Sequence, residues 1–226
     1  MVRRVDLARD DDLRSAAAAL LSPAELARVE TCTPAVGRRR ILVRAALREL
    51  LASELGVAPI DVPLVDRPGR PALHPSAAVP GLDFNTSASG EVGLVALVRG
   101  GRIGVDVERL GDEDPAVAVA EGWLAAAERA AIEALAGRDR PTALTRAWVQ
   151  KEAVLKGQGV GLWSDLSRTV TPVAARGRVT GWQLVPVEVP TGYLASLALR
   201  ADSWALRLAA RRIPSLRPDL ALRRLL

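Results

Sequence analysis

The sequence predicts an α+β protein made of two similar halves, and three observations carry that prediction. Apolar residues recur at helical spacing between Arg38 and Leu55, and they alternate at strand spacing between Val92 and Glu108. Both patterns are then echoed further along the chain. Sliding the sequence by 103 positions without gaps lays Leu21 on Leu124, Glu25 on Glu128, Val29 on Ile132 and Glu30 on Glu133. The same shift lays Arg48 on Lys151, Glu49 on Glu152, Gly56 on Gly159, and the strand around Leu94 on the one around Leu197. Order, spacing and element type are all kept, so residues 1–105 and 106–226 read as related halves. A ligand site between two such halves is a natural expectation.

Each element has its own signal. Ser22-Pro23 followed by Glu25 reads as a helix start, with Ser as N-cap and Pro at the first helical position. The longer helix over 38–55 carries Ile41, Ala45, Leu47, Leu51 and Leu55 on its apolar positions and stops at Gly56. Residues 57–83, rich in Pro and Gly, read as loop with short extended pieces. A hairpin is expected next, with Val92–Val98 as one strand, Gly100-Gly101 as the turn and Arg102–Glu108 as the return.

At 226 residues, with apolar residues near half and charge near a quarter, the composition is that of a globular protein with ample core. Aromatics are few, and five of the seven are Trp. One Cys (Cys32) and one His (His74) exclude a disulfide framework and a Cys/His zinc site. They also argue against a Ser-His or Cys-His nucleophile, since His74 stands in a Pro-rich loop without a partner pattern. Chemistry here must come from carboxylates and cations. The N-terminus is charged where a secretory signal needs an apolar run, and Ala16–Leu21 is too short to span a bilayer. A reduced, cytoplasmic location with no membrane partner is the expectation. The net charge of +5, carried almost entirely by Arg, points to a phosphate-bearing or acidic partner.

Three constellations could carry chemistry. In Arg102-Ile-Gly-Val-Asp-Val-Glu108, strand alternation puts Asp106 and Glu108 on one face. The plain alternative is a solvated strand face. Two carboxylates held close repel by up to ~4 kcal/mol at an effective dielectric near 20. A hard divalent cation reverses that sign, and all-oxygen ligands suit Mg²⁺. In Trp148-Val-Gln-Lys-Glu-Ala-Val-Leu-Lys156, Glu152 and Lys156 lie one helical turn apart. The alternative there is an exposed salt bridge worth ~0.3–0.5 kcal/mol. The glycines after Lys156 read as a helix stop and loop. Third, Arg40, Arg44 and Arg48 make one stripe along the first long helix, and Arg67-Pro-Gly-Arg-Pro71 follows. Like charges stacked this way disfavour an isolated helix, which suggests an anion on that face; a solvated arginine face is the alternative.

Together these segments resemble the surfactin-type 4'-phosphopantetheinyl transferases. The family's strand motif stands here as IGVDVE, its helix motif as WVQKEAVLK, and the Gly-rich tail as GQGVGL. The two motifs are about forty residues apart, as in the family, and its Gly-Lys-Pro loop stands as Gly69-Arg70-Pro71. The upstream arginine helix stands as RRRILVRAALREL, and the likeness covers roughly residues 20–200. One departure matters: the family's Asn-x-Ser-His-Ser is Asn85-Thr-Ser-Ala-Ser89, so the histidine that touches a coenzyme A phosphate in relatives is Ala88. Losing one charge-assisted bond to phosphate costs on the order of 1.5–3 kcal/mol.

The resemblance implies two α+β halves related by pseudo-twofold symmetry, with the active site in the cleft between them. It implies an enzyme that moves the phosphopantetheine arm of coenzyme A to a serine of an acyl- or peptidyl-carrier protein, releasing adenosine 3',5'-bisphosphate. By resemblance Asp106, Glu108 and Glu152 hold Mg²⁺ against the pyrophosphate, and Glu152 is the base for the serine hydroxyl, directly or through water. Lys156 clamps the pyrophosphate, Arg44 and Arg70 hold the 3'-phosphate, and Ser87 and Ser89 line the nearby loop. The carrier is acidic and transient, and the basic tail, Arg207 through Arg224, either steers it or is a solvated amphipathic helix. A cleft completed within one chain suggests a monomer. Two other classes compete: a non-catalytic coenzyme A or nucleotide-binding relative, and a nucleic-acid-binding module, which the scarcity of aromatics and of any known motif argues against.

Overall fold

The computed structural model describes residues 1–8, 11–67, 70–111, 118, 121–160 and 166–201. Strand β1 (Val2–Asp6) and helix α1 (Asp11–Ala18) come first. Helix α2 (Pro23–Glu30) opens on the expected signal: Ser22 Oγ accepts the Glu25 N–H, and Glu25 Oε2 accepts the Ser22 N–H at 2.8 Å. Helix α3 (Pro34–Leu55) begins four residues before the expected Arg38, because Thr33-Pro34 repeats the cap-then-Pro pattern of Ser22-Pro23. It ends as expected at Gly56, whose φ of 71° is the left-handed C-cap that glycine adopts without a Cβ clash.

The Pro- and Gly-rich stretch holds a short antiparallel pair, β2 (Leu64–Arg67) and β3 (Arg70–Leu73). His74 caps the turn that follows, with Nδ1 2.7 Å from Ser76 Oγ. Strands β4 (Leu82–Ser89), β5 (Val92–Arg99) and β6 (Gly101–Arg109) follow. The expected hairpin falls one strand earlier than the alternation suggested: β5 pairs with β4, and β6 pairs with β9 (Tyr193–Ala201). The reason is that β5 is central. Its two edges are already taken by β1 and β4, so the chain turns at Gly100 (φ 75°) into a different sheet. That turn separates the two sheets.

The echo is structural. Helix α4 (Ala126–Glu133) stands 103 residues after α2, and α5 (Arg140–Gln158) ends 103 residues after α3, at Gly159 (φ 77°). Strands β7 (Gly177–Val179) and β8 (Trp182–Pro186) complete the second half. The antiparallel order β1-β5-β4 in the first sheet is repeated as β6-β9-β8 in the second, with β7 added at its edge. One core lies between α3 and the first sheet, another joins Leu94 and Ala96 of β5 to Val105 of β6 and Leu197 of β9. A fully buried Leu or Val of this kind contributes about 1.5–3 kcal/mol, so the junction of the halves is itself strongly held. No helix among the described residues is long and apolar enough to cross a membrane.

Candidate active site

Helix α5 lies directly on β6, and two glycines permit it. A Cβ on Gly104 would stand 1.8 Å from the Ala153 carbonyl oxygen, and one on Gly157 would stand 2.6 Å from the Trp182 ring. The glycine inside IGVDVE thus admits the helix backbone, and Gly157 admits Trp182, a role that reading the tail as a helix stop had not assigned. Gly159 serves as that stop. Close approach brings Glu152 and Lys156 of α5 against Asp106 and Glu108 of β6. Lys156 Nζ donates to Asp106 Oδ1 at 2.6 Å and to Ser87 Oγ at 3.1 Å.

Burial is the main cause that pushes all three carboxyls above their ordinary range. At Glu152 the charges of Asp106 and Glu108 add to the rise while Lys156 opposes it. At Glu108 the neighbouring Asp106 adds, and hydrogen bonds from Ser89 and Trp148 oppose. Asp106 is held partly in check by Lys156, Ser87 and the Val107 N–H. Two buried carboxylate oxygens, Asp106 Oδ2 and Glu152 Oε1, have no hydrogen-bond partner among the described residues. Among the described residues no three acidic, His or Cys groups stand in ligating arrangement, because Lys156 rather than a second acid faces Asp106. The unmet carboxylate oxygens, the mutual repulsion and the all-oxygen set fit a hard divalent cation.

Beside these acids opens a cavity of about 590 Å³. Ser87, Ala88, Glu108 and Lys156 form one wall, while Arg28, Arg39, Arg40 and Arg44 of α2 and α3 form the other. The arginine stripe read from the sequence divides in the structure. Arg40 and Arg44 face the cavity, but Arg48 is buried, with Nε 2.9 Å from Glu25 Oε2 and further bonds to the carbonyls of Pro59, Ile60 and Val62. Arg70 also departs from its expected place at a phosphate. Its guanidinium pairs with Asp83 at 2.8 Å and donates to the carbonyls of Phe84 and, at 3.3 Å, Lys156. The cause is the C-terminus of α5, whose free carbonyls attract cations. Arg70 also donates to Gly157 O at 3.5 Å, and the same end of α5 takes Arg102 at Gly157 O, 3.0 Å, and Asn85 at Lys156 O, 3.5 Å. Arg70 therefore ties the first half to α5. Ser87 and Ser89 turn to the acids, 2.8 Å from Asp106 Oδ1 and 2.7 Å from Glu108 Oε2.

Arg28 was not singled out from the sequence, and Arg39 stood there only as one of the arginines, with Arg38, Arg40, Arg44 and Arg48, that crowd the first long helix. The repeat itself could have found them, since Arg28, Arg39, Arg40 and Arg44 fall by the 103 offset on Ala131, Thr142, Ala143 and Ala147. These four basic residues, present in the first half only, line the cavity, whereas the basic pair shared by both halves, Arg48 and Lys151, is structural. Gly69, Gly161 and the tail from Arg207 to Arg224 lie outside the described residues.

A cavity lined by Glu108, Lys156 and four arginines, beside the junction of two like α+β halves, suits a ligand rich in phosphate. Residues 102–184, which include β6 and α5, match the 4'-phosphopantetheinyl transferase superfamily. It is similar to the 4'-phosphopantetheinyl transferase HetI of Nostoc sp., with 28% identity over 89% of this chain and 87% of the relative. It is also similar to the putative 4'-phosphopantetheinyl transferase slr0495 of Synechocystis sp., with 33% identity over 67% of this chain and 62% of the relative. The 4'-phosphopantetheinyl transferase AcpT of Salmonella typhimurium is 32% identical over 53% of this chain and 60% of its own length.

Proposed function

We propose that this chain is a surfactin-type 4'-phosphopantetheinyl transferase that uses coenzyme A and Mg²⁺ to modify a serine of an acyl- or peptidyl-carrier protein. The observation that carries the reading is the meeting of Asp106, Glu108, Glu152 and Lys156, from a strand and a helix about fifty residues apart, beside a cavity that Glu108 and Lys156 line together with four arginines. Asp106, Glu108 and Glu152 would hold the metal. When bound, it neutralises charge developing on the pyrophosphate oxygens.

The chain's own residues supply the rest. Arg28, Arg39, Arg40 and Arg44 take the nucleotide phosphates, and Lys156 moves from Asp106 to the pyrophosphate bridge. Glu152, raised in pKa by burial and by its neighbours, accepts the proton of the carrier serine. The serine oxygen bonds to the phosphorus that bears pantetheine, the pyrophosphate P–O bond breaks, and adenosine 3',5'-bisphosphate leaves with Lys156 beside its new charge. The cation-rich surface favours an acidic carrier, and a cleft walled by one chain favours a monomer.

The test is direct. The protein is incubated with coenzyme A, Mg²⁺ and an apo carrier, and the carrier is weighed by mass spectrometry. One added phosphopantetheine, lost in Glu152→Gln, supports the reading. Retained coenzyme A binding without any addition identifies a non-catalytic relative instead.

A further inference from the structure

Strand β6 pairs with β9 along one edge, and its other edge is met by side chains instead of a strand. Alternate residues of β4 reach across: Asp83 Oδ2 accepts the Ile103 N–H at 2.8 Å, and Asn85 Oδ1 accepts the Val105 N–H at 3.3 Å. Ser87 Oγ accepts the Val107 N–H at 3.3 Å, and Ser89 Oγ accepts the Arg109 N–H at 3.2 Å. A serine hydroxyl has one proton and two acceptor positions. At Ser87 all three are used, by Asp106, Val107 and Lys156. At Ser89 the single proton goes to Glu108. Neither serine has a proton left to give a phosphate oxygen.

We infer that Ser87 and Ser89 are positioning residues for Asp106 and Glu108, and that β4 acts as a comb that sets the rotamers of the metal-binding acids. Each serine is fixed by a backbone N–H of β6 and returns its own proton to the acid just before that N–H. Asp106 Oδ2, which has no hydrogen-bond partner among the described residues, would then be left for the cation. The inference rests on the reading of these acids as metal ligands, and it places the serines with the metal rather than with coenzyme A. Loss of such an outer hydrogen bond typically weakens metal affinity about 10–100-fold.

The test measures Mn²⁺ binding by loss of the free-ion electron paramagnetic resonance signal, with coenzyme A saturating and no carrier present. Coenzyme A affinity is measured separately in chelator by calorimetry. Ser87→Ala and Ser89→Ala should weaken Mn²⁺ about tenfold or more while coenzyme A affinity in chelator stays within a factor of about three, and Ser87→Thr should restore binding. Ser89, at the half-buried end of the comb, keeps the test available if Ser87→Ala fails to fold. Unchanged Mn²⁺ binding with weakened coenzyme A would overturn the inference and return the serines to the nucleotide. Asp106→Asn separates the two failures: if it also binds Mn²⁺ as the wild type does, the metal assignment itself is wrong.

Discussion

Arg3 and Glu49 form an ion pair 2.7 Å long between β1 and α3, and the 103-residue offset puts Asp106 and Glu152 at those two positions. The first half neutralises its helix carboxylate with an arginine. The second half has exchanged that arginine for another acid, and the charge deficit is what a divalent cation would fill. A site of this kind costs stability when no cation is bound, because like charges are held together.

Glu152→Gln should therefore abolish transfer and yet stabilise the metal-free protein at neutral pH. The sign follows from the raised carboxyl pKa. The folded state holds this proton more tightly than the unfolded chain, so stability is fully present below the ordinary value of 4.5 and is lost as pH rises through the folded value. The variant should flatten that loss. About 1 kcal/mol would appear as a Tm some 2–4 °C higher than wild type in metal-free buffer at pH 7.5. A lower Tm would mean that Glu152 is stabilised by a partner other than the cation.

Lys151 stands beside Glu152 in the helix motif but does different work. Its Nζ is fully buried, 2.7 Å from Glu128 and bonded to the carbonyls of Leu166 and Thr169. Glu128 in turn accepts from the Ala125 and Thr171 N–H groups, just as Glu25 accepts from Ser22 and pairs with Arg48. Both halves fasten a short helix, a long helix and the following loop with one buried ion pair. Lys151→Met removes the buried cation from Glu128, a loss of about 3–5 kcal/mol, and Arg48→Met removes the nearer cation from Glu25, leaving it the 3.5 Å contact to Arg44 and a smaller loss. Denaturant unfolding should show it for both, with coenzyme A affinity spared in whatever fraction folds.

Gly104→Ala should be worse than its size suggests. Its Cβ would meet backbone atoms, Ala153 O at 1.8 Å and Gly157 N at 2.5 Å, and backbone cannot swing aside as a side chain can. Helix α5 must lift from β6 or the sheet must bend. A cost of about 3 kcal/mol or more is expected, with loss of transfer even where protein is recovered. Circular dichroism and the transfer assay measure the two effects.

Local signals carried much of this fold into view. Ser22-Pro23, Gly56 and Gly159 are caps whose chemistry acts within a turn, so α2 and the ends of the long helices were legible. The echo was legible because the buried pair Glu25–Arg48 and its counterpart Glu128–Lys151 hold both halves to one plan. Strand pairing was not. Which edge of β5 is free depends on β1, more than eighty residues away, and no local alternation encodes that. Arg48 and Arg70 misled for a related reason: a charged side chain reads as surface from sequence, while in the fold carboxylates and free carbonyls draw both inside.

Ala88 gives the last prediction its force. It lines the arginine-walled cavity and is exposed there, one residue from each serine of the comb. In β4 its side chain points opposite to those of Ser87 and Ser89, so changing it leaves the bonds to Asp106 and Glu108 alone. Ala88→His adds a donor on the cavity side, and a charge-assisted bond to a phosphate contributes about 1.5–3 kcal/mol, roughly a 10- to 150-fold gain in coenzyme A affinity. The effect should grow as pH falls through the range where histidine takes up its proton. Arg40→Ala, which removes a cavity cation, should move affinity the other way by roughly tenfold. Calorimetry with coenzyme A and with its 3'-dephospho form distinguishes the contact: a gain that survives removal of the 3'-phosphate would place the new histidine on the pyrophosphate instead.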